Sequence, residues 1–345
     1  MKITLGHIAR AKALYRDKNE LYIAKGYKIY HSHNDGKDFE LDGMIEDGFY
    51  TLIANTSRLL SRLLRIEPAT MLLLDNGNRV LSAKKGIFLA QKGSKHYRKT
   101  FDIVRGNKPL HICKDKDGVL YFGEYVLNGR FADTVRSEVS IYKSEDHGKS
   151  WQVCYTFKPN TIRHIHGVFY DKYTDRLWVA TGDRDEECII AYSDDKFQTL
   201  NVFKQGAQRY RAVSLLFYED FILYGTDTEH EQNYIYKIER ESGKETALQA
   251  LHGSVMASEQ AGESAIISTA VEPSSVNHHQ KAHIWYSNDG TVWHDVFSAP
   301  KDRWHPRYFQ YGRITFPTGA LYEKNFYFSG HALQKIDNAV LHVKL

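Results

Sequence analysis

Ser144-Glu145-Asp146-His147-Gly148-Lys149-Ser150-Trp151 has an upstream counterpart in Ser32-His33-Asn34-Asp35-Gly36-Lys37-Asp38-Phe39. A version one residue shorter lies downstream as Ser287-Asn288-Asp289-Gly290-Thr291-Val292-Trp293, and Ser193-Asp194-Asp195-Lys196-Phe197 is a worn fourth copy. Each follows a strand-like run (Ile29-Tyr30, Ile141-Tyr142, Ile190-Ala191-Tyr192, Ile284-Trp285-Tyr286) and precedes another. The frame has a physical logic. Ser and Asp side chains bond the turn's own backbone, Gly takes a positive φ, and the aromatic packs behind the turn. A hairpin that recurs along a chain marks a repeat architecture.

A second phrase recurs upstream of each hairpin: a short apolar strand, then a small residue, then a polar one. It reads Leu21-Tyr22-Ile23-Ala24, Val80-Leu81-Ser82-Ala83, Leu120-Tyr121-Phe122-Gly123-Glu124 and Leu177-Trp178-Val179-Ala180-Thr181-Gly182-Asp183. It continues as Ile222-Leu223-Tyr224-Gly225-Thr226-Asp227, Ile266-Ile267-Ser268-Thr269-Ala270-Val271-Glu272 and Phe326-Tyr327-Phe328-Ser329-Gly330-His331. Spacings of roughly 40 to 60 residues are those of β-propeller blades. The chain therefore reads as all-β, a seven-bladed β-propeller, with six blades as the fallback because the second blade is the least regular. Only one strand, Ala339 to Leu345, follows the last copy, so Lys2-Ile3-Thr4-Leu5-Gly6 is expected to supply that blade's fourth strand and close the ring. Residues 1–345 are expected to form one domain.

Composition agrees with strands: 23 Tyr, 17 Phe and 5 Trp suit pleated, half-buried surfaces. A net charge of +4 tolerates an anionic ligand but is too small to argue for nucleic acid. Three cysteines without metal spacing read as reduced thiols. The N-terminus has no apolar signal core and no stretch approaches about 20 apolar residues, so a cytoplasmic protein without stable membrane insertion is expected. Residues 56–65 read as a short helical insertion, with Leu59, Leu60, Leu63 and Leu64 on one face and Arg58, Arg62 and Arg65 on another. It is expected to pack on the ring's side; the other reading is a docking or membrane-surface element.

The turns resemble the Asp-box, or BNR repeat, of the sialidase-like propeller superfamily. Ser144 to Trp151 departs from the family's Ser-x-Asp-x-Gly-x-Thr-Trp only in Ser150. The resemblance implies that the box lies on the outer hairpin of each blade, so Asn34, Asp146 and Asp289 hold turns rather than act as catalytic acids. True sialidases add an Arg-Ile-Pro signature, which is absent here, so this is not read as a typical sialidase.

Candidate chemistry falls on the opposite rim, where second strands end and inner strands begin. Second-strand ends supply Glu124, Asp183, Asp227, Glu272 and His331; inner-strand starts supply Arg163-His164-Ile165-His166, Tyr210, Arg211, Arg307, Tyr311 and Arg313. The long or charged connections place the site over blades three to six, with the Tyr125–Arg136 and Pro273–Lys281 loops and His230 beside it. His164, His166, Asp183 and Asp227 are the catalytic candidates. Glu124, Tyr210, Arg211, His230, Glu272, Arg307, Tyr311, Arg313 and His331 are the substrate-binding ones. In extended chain His164 and His166 share one face, which suits a general base, a structural bond to a carboxylate such as Asp183, or a divalent metal. No cofactor is otherwise expected. Asn277-His278-His279-Gln280 reads as surface.

Carboxyls, imidazoles, guanidiniums and phenols at one mouth suit an acidic oligo- or polysaccharide. Glycoside hydrolysis is preferred to polysaccharide lyase chemistry, in which His164 or His166 would be the base with Tyr210 and Arg211 assisting. The alternative is a non-catalytic glycan- or protein-binding propeller.

Overall fold

The computed structural model describes residues 4–126, 136–319 and 325–345, and its strands group into seven four-stranded antiparallel units, in a β-propeller. Each unit is a meander whose strands pair in chain order, the fourth of which opens the sequence numbering only in the last unit. Unit one runs Lys12–Asp17, Glu20–Lys25, Lys28–Ser32 and Glu40–Ile45, and unit two Met71–Leu73, Arg79–Ala83, Gly86–Ala90 and His96–Asp102. Unit three has Cys113–Lys114, Leu120–Gly123, Val139–Ser144 and Gln152–Phe157; unit four has His164–Asp171, Arg176–Gly182, Ile189–Ser193 and Asn201–Gln205. Unit five comprises Leu216–Phe217, Phe221–Gly225, Tyr234–Glu239 and Glu245–Ala250, and unit six Val255–Ala261, Ser264–Thr269, Lys281–Ser287 and His294–Pro300. Unit seven takes Arg313–Thr315, Asn325–His331 and Ala339–Lys344 from the C-terminus and Thr4–Ala9 from the N-terminus. That last strand pairs with its neighbour from Thr4↔Lys344 to Ala9↔Val340. Units one and two share a nine-stranded sheet, because Met44 and Ile45 pair in parallel with His96 and Tyr97, and Thr318–Gly319 adds to the inner edge of unit one.

All seven copies of the apolar phrase fall on second strands, which are almost wholly buried. The core explains why these strands must be apolar on both faces. Seven hydrophobic clusters form, and each joins two consecutive units, as where Tyr121 and Ile141 of unit three meet Val168 and Val179 of unit four. The ring closes in the same way: Ala13 and Ile23 of unit one pack on Tyr327 and Val340 of unit seven. Fourth strands lie at the outer edge and alternate instead, as in Glu40–Ile45, where only Gly43 and Ile45 are buried.

The repeated turns join third to fourth strands in units one, three, four and six. In unit three the Ser144 hydroxyl donates to Asp146 Oδ1 (2.8 Å) and accepts from the Gly148 amide (2.9 Å). Asp146 also accepts from the amides of Lys149 and Ser150. Gly148 has φ +85°, and a Cβ there would sit 2.6 Å from Val80 Cγ2 of unit two, so the glycine serves both the turn and the seam between units. Unit four keeps the bonds without the glycine: Phe197 takes φ 67° and donates its amide to Ser193 Oγ.

The insertion departs from its expected form. Two helices, α1 (Phe49–Thr56) and α2 (Arg58–Leu64), link units one and two, with Ser57 capping α2 by accepting from the Leu60 amide. Its amphipathicity is inverted. Leu59, Leu60, Leu63 and Leu64 face solvent, as do Phe49 and Leu52, while Ser61 and Arg62 are buried. Polar anchoring accounts for this. Arg62 donates to Asp302 (2.7 Å) and twice to the Phe309 carbonyl, Gln310 donates to the Arg62 carbonyl, and Arg58 pairs with Asp337. A guanidinium that finds fixed acceptors outcompetes leucine for the inner face. Among the described residues no helix is long and apolar enough to cross a membrane.

Candidate functional site

The rim opposite the repeated turns carries a buried cluster built by units four to six. The inner strand of unit four opens with His164, and a bulge between Ile165 and Gly167 breaks its register. Ile165 turns into the seam, where its Cγ2 would lie 2.3 Å from a Cβ on Gly123, and the bulge lets both histidines point into the mouth. Asp183 follows the second strand of the same unit. The Gly182 before it leaves room for the His166 ring, whose Cε1 would be 2.6 Å from a Cβ. Arg211 follows the short turn Gln208–Tyr210, and its carbonyl accepts from the Asp227 amide at 2.9 Å. Asp227 and Glu272 sit just beyond the second strands of units five and six, the positions that Asp183 holds in unit four.

His164 and His166 are 4% and 2% exposed. Their Nδ1 atoms lie 3.1 Å from the Val126 carbonyl and 2.9 Å from the Ala212 carbonyl, and their Nε2 atoms face each other at 3.1 Å. Asp183 Oδ1 stands 3.4 Å and 3.6 Å from the two Nε2 atoms. Arg163 holds Oδ2 at 2.8 Å and Arg211 holds Oδ1 at 3.1 Å. The Tyr125 ring covers His164 at 4.3 Å between centroids. Arg211 Nε reaches toward Asp227 Oδ2 at 3.6 Å, and Asp227 Oδ1 is buried with no hydrogen-bond partner among the described residues.

These surroundings separate the carboxyls. Burial favours the neutral form of Asp183, but the histidines and Arg211 outweigh it and hold the group well below the carboxylate range. Asp227 goes the other way. Burial dominates, Glu272 and Asp183 add repulsion, and the opposing pull of Arg211 leaves it raised to about 8. Glu272 is raised by burial and by repulsion from Glu229 and Asp183, with Arg211 and Arg65, the residue closing α2, pulling it down. Burial lowers His166, assisted by His164 and Arg211.

A second buried cluster occupies the part of the mouth formed by units seven, one and two. Glu67, at the exit of the insertion, takes Arg313 at 2.5 Å and has Arg58 and His331 each at 3.5 Å. Burial raises Glu67, yet His331, Arg313 and Lys12 together bring it well below the ordinary value. Lys12 donates to the Pro68 carbonyl and Lys108 to that of Glu67. Burial lowers these two lysines to about 8 and about 7.

The structure thus gathers His164, His166, Asp183, Arg211, Asp227 and Glu272, and it sends other candidates elsewhere. Tyr210 is turned outward by its 3-10 turn, and its hydroxyl donates to Glu245 on the outer strand of unit five (2.6 Å). Glu124 pairs with Arg105 and accepts from the Ser140 amide; it lines a cavity of about 420 Å³ between units two and three, off the histidine cluster. His230 is exposed, with its ring 3.8 Å from Glu229. Arg307 is exposed on a four-residue helix, Pro306–Phe309, rather than on an inner strand, and the half-buried Tyr311 precedes that strand. Arg313 and His331 belong to the Glu67 cluster. His278 and His279 are exposed, whereas Asn277 beside them is buried and donates to Thr228 O and Ser254 Oγ. Most of the Tyr125–Arg136 loop lies outside the described residues. Sequence reading missed Tyr125, Lys12, Lys108 and Glu67; Tyr125 alone carried a signal, since it follows Glu124 at a second-strand end.

No protein-family profile matches the chain, and no curated protein matches it in sequence. Solved structures do match in shape. YCF48 from Cyanidioschyzon merolae aligns with TM-score 0.60 at 10% identity over 98% of both chains. YCF48 bound to D1 peptide aligns with TM-score 0.59 at 8% identity, covering 99% of this chain and 95% of that one. The GH74 enzyme of Niastella koreensis gives 0.53 at 12% identity over 85% of this chain but only 46% of its own length. At such identities the likeness is one of fold: the chain is a β-propeller.

Proposed function

We propose that this propeller acts on an acidic oligo- or polysaccharide as a glycoside hydrolase, at the mouth formed by units four to six. The repeated Ser-x-Asp-x-Gly turns support grouping it with the sialidase-like Asp-box propellers, while the missing Arg-Ile-Pro sets it apart from sialidases. The observation that carries the reading is Asp227, a buried carboxyl with one oxygen unpartnered, facing Arg211 and influenced by Glu272. Of the buried Asp227 and the half-buried Glu272, the first is raised to about 8 by burial and by repulsion from Glu272 and Asp183, so it keeps its proton near neutral pH. One is then a proton donor for the leaving oxygen and the other a base for water, the division of labour that glycoside hydrolysis requires. Asp183 orients Arg163 and Arg211, whose positive charge suits an acidic sugar.

A panel of acidic glycans assayed for reducing-end release tests this. Asp227→Asn and Glu272→Gln are expected to lower turnover by about 10²–10⁴-fold. Activity should fall as pH rises through about 8, where Asp227 loses its proton. Binding of the panel by the wild type without any turnover would overturn the hydrolase reading. It would favour a non-catalytic recognition propeller, for which the solvent-facing leucines of α2 beside the mouth and the full-length likeness to a propeller solved with a peptide speak.

A further inference from the structure

His164, His166 and Asp183 have a geometry that hydrogen bonding among themselves does not explain. Each Nδ1 is within reach of a backbone carbonyl, at 3.1 Å for His164 and 2.9 Å for His166. A carbonyl only accepts, so each Nδ1 carries the proton and, in the neutral ring, each Nε2 is a bare lone pair. Those two lone pairs confront each other at 3.1 Å, and a carboxylate oxygen stands 3.4 Å and 3.6 Å away. Three acceptors thus converge in a buried site whose one donor, Arg211 at 3.1 Å from Asp183 Oδ1, leaves the two nitrogens facing each other, and a cation at the centre would satisfy them.

The mean spacing suits one kind better than another. A tetrahedron with bonds of about 2.0–2.1 Å, those of zinc to imidazole nitrogen and carboxylate oxygen, has edges of about 3.3–3.4 Å; an octahedron with the same bonds has edges of about 2.9 Å. The three observed edges straddle the tetrahedral value. The outer arrangement also fits. Each Nδ1–H is anchored on a carbonyl, and Asp183 is oriented by Arg163 and Arg211, which is how ligating side chains are fixed and how the ligating nitrogen is selected. The local charge allows a dication. A dication would itself draw the proton off Asp227, so that the carboxylates of Asp183, Asp227 and Glu272 would face the two guanidiniums and the metal.

We propose that His164 Nε2, His166 Nε2 and Asp183 Oδ1 bind a tetrahedral divalent transition metal, zinc by preference, leaving a fourth position for water or a ligand oxygen. Three protein ligands are the number found in catalytic rather than structural zinc sites. This proposal stands apart from the glycan reading, since metal can bind whether or not a sugar is cleaved.

The test is calorimetric titration of chelator-stripped full-length protein with Zn²⁺, and with Co²⁺ as a spectroscopic probe. The expected result is one equivalent bound, the visible spectrum of four-coordinate cobalt, and a rise in melting temperature with Zn²⁺. His166→Gln and Asp183→Asn should each weaken Zn²⁺ binding by about 100-fold or more. Glu20, His31 and His33 form the other three-residue grouping of ligand atoms among the described residues, but His33 is exposed, so His33→Ala is expected to leave stoichiometry and affinity unchanged. The wild-type titration decides the matter even if a site variant fails to fold. No binding of either ion would overturn the proposal and leave the two imidazoles sharing a proton. So would binding abolished by His33→Ala, or an octahedral cobalt spectrum.

Discussion

Replacing Arg62 with alanine is predicted to undock the insertion, whereas replacing Leu63, the next residue on the same helix, is not. Arg62 is buried, with its side chain 5% exposed, and donates to Asp302 and to the Phe309 carbonyl. Removing one partner of a buried pair costs about 3–5 kcal/mol. Asp302 keeps Lys301 as a neighbour, which puts the expected loss near the lower end, about 3 kcal/mol. Leu63 is 42% exposed, and full burial of a leucine is worth only about 1.5–3 kcal/mol. Its truncation gives up a fraction of that, about 1 kcal/mol or less, and alanine is at least as good a helix former. The insertion can open while the ring stays folded, so the appropriate assay is native-state amide exchange across residues 58–64. A loss of about 3 kcal/mol corresponds to roughly 100-fold faster exchange for Arg62→Ala, against about 5-fold or less for Leu63→Ala. An amphipathic helix docked by its leucines would give the reverse order. Equal effects, or a larger one for Leu63, would refute the polar-anchor account.

Three further outcomes follow from the same structure. Gly123→Ala should cost about 1–3 kcal/mol in urea unfolding, because the new Cβ would fall 2.3 Å from Ile165 Cγ2 in the seam between units three and four; a neutral result would mean that the seam is loosely packed. Lys12 is buried and lowered to about 8, so between about pH 8 and 10.5 the unfolded chain binds more protons than the folded one and stability should rise with pH, by on the order of 3 kcal/mol. Lys12→Met should flatten that rise, which denaturant midpoints across the range would reveal. Asp146→Ala should cost about 1–2 kcal/mol through lost turn bonds while leaving Zn²⁺ affinity and glycan turnover unchanged, since the turn lies at the other rim; a matching loss of ligand affinity would contradict that separation.

The strand order was legible because packing between units imposes a local rule. Second strands are buried on both faces, so Leu120-Tyr121-Phe122 and Ile222-Leu223-Tyr224 stand out as apolar runs. They end on glycine where the next inner strand crosses, with Ile165 against Gly123 and Val255 against Gly225. An acidic residue just past the second-strand glycine enters the cluster in Asp183, after Gly182, and Asp227, two beyond Gly225, whereas Glu124, after Gly123, turns to Arg105. Legibility failed where direction depends on distant partners. Tyr210 lies one residue from Arg211, yet a 3-10 turn sends it to Glu245 while Arg211 enters the mouth. The face that α2 buries is chosen by Asp302, Phe309 and Asp337, all more than 200 residues away, and no helical period contains that information. Glu67 follows no repeat at all; its position is fixed by partners from two ends of the chain.

Charge alone does not distinguish the two clusters at the mouth, since both are buried and both mix cations with carboxyls. Satisfaction of the carboxylate oxygens does. Around Glu67 every oxygen has a cation: Oε1 meets Arg313, and Oε2 faces Arg58 and His331, while the two lysines are spent on the Pro68 and Glu67 carbonyls. The buried atoms without a hydrogen-bond partner there are nitrogens, Arg313 Nε and His331 Nδ1, and the cluster joins the insertion to units seven, one and two. Around His166 the accounting stays open, with two lone pairs face to face and Asp227 Oδ1 unpartnered. Buried polar atoms without partners are costly, and a fold keeps them where a ligand, a metal or a substrate completes them. That difference in the oxygens, and not the density of charged residues, is the ground for proposing ligand binding at units four to six rather than at the opposite arc.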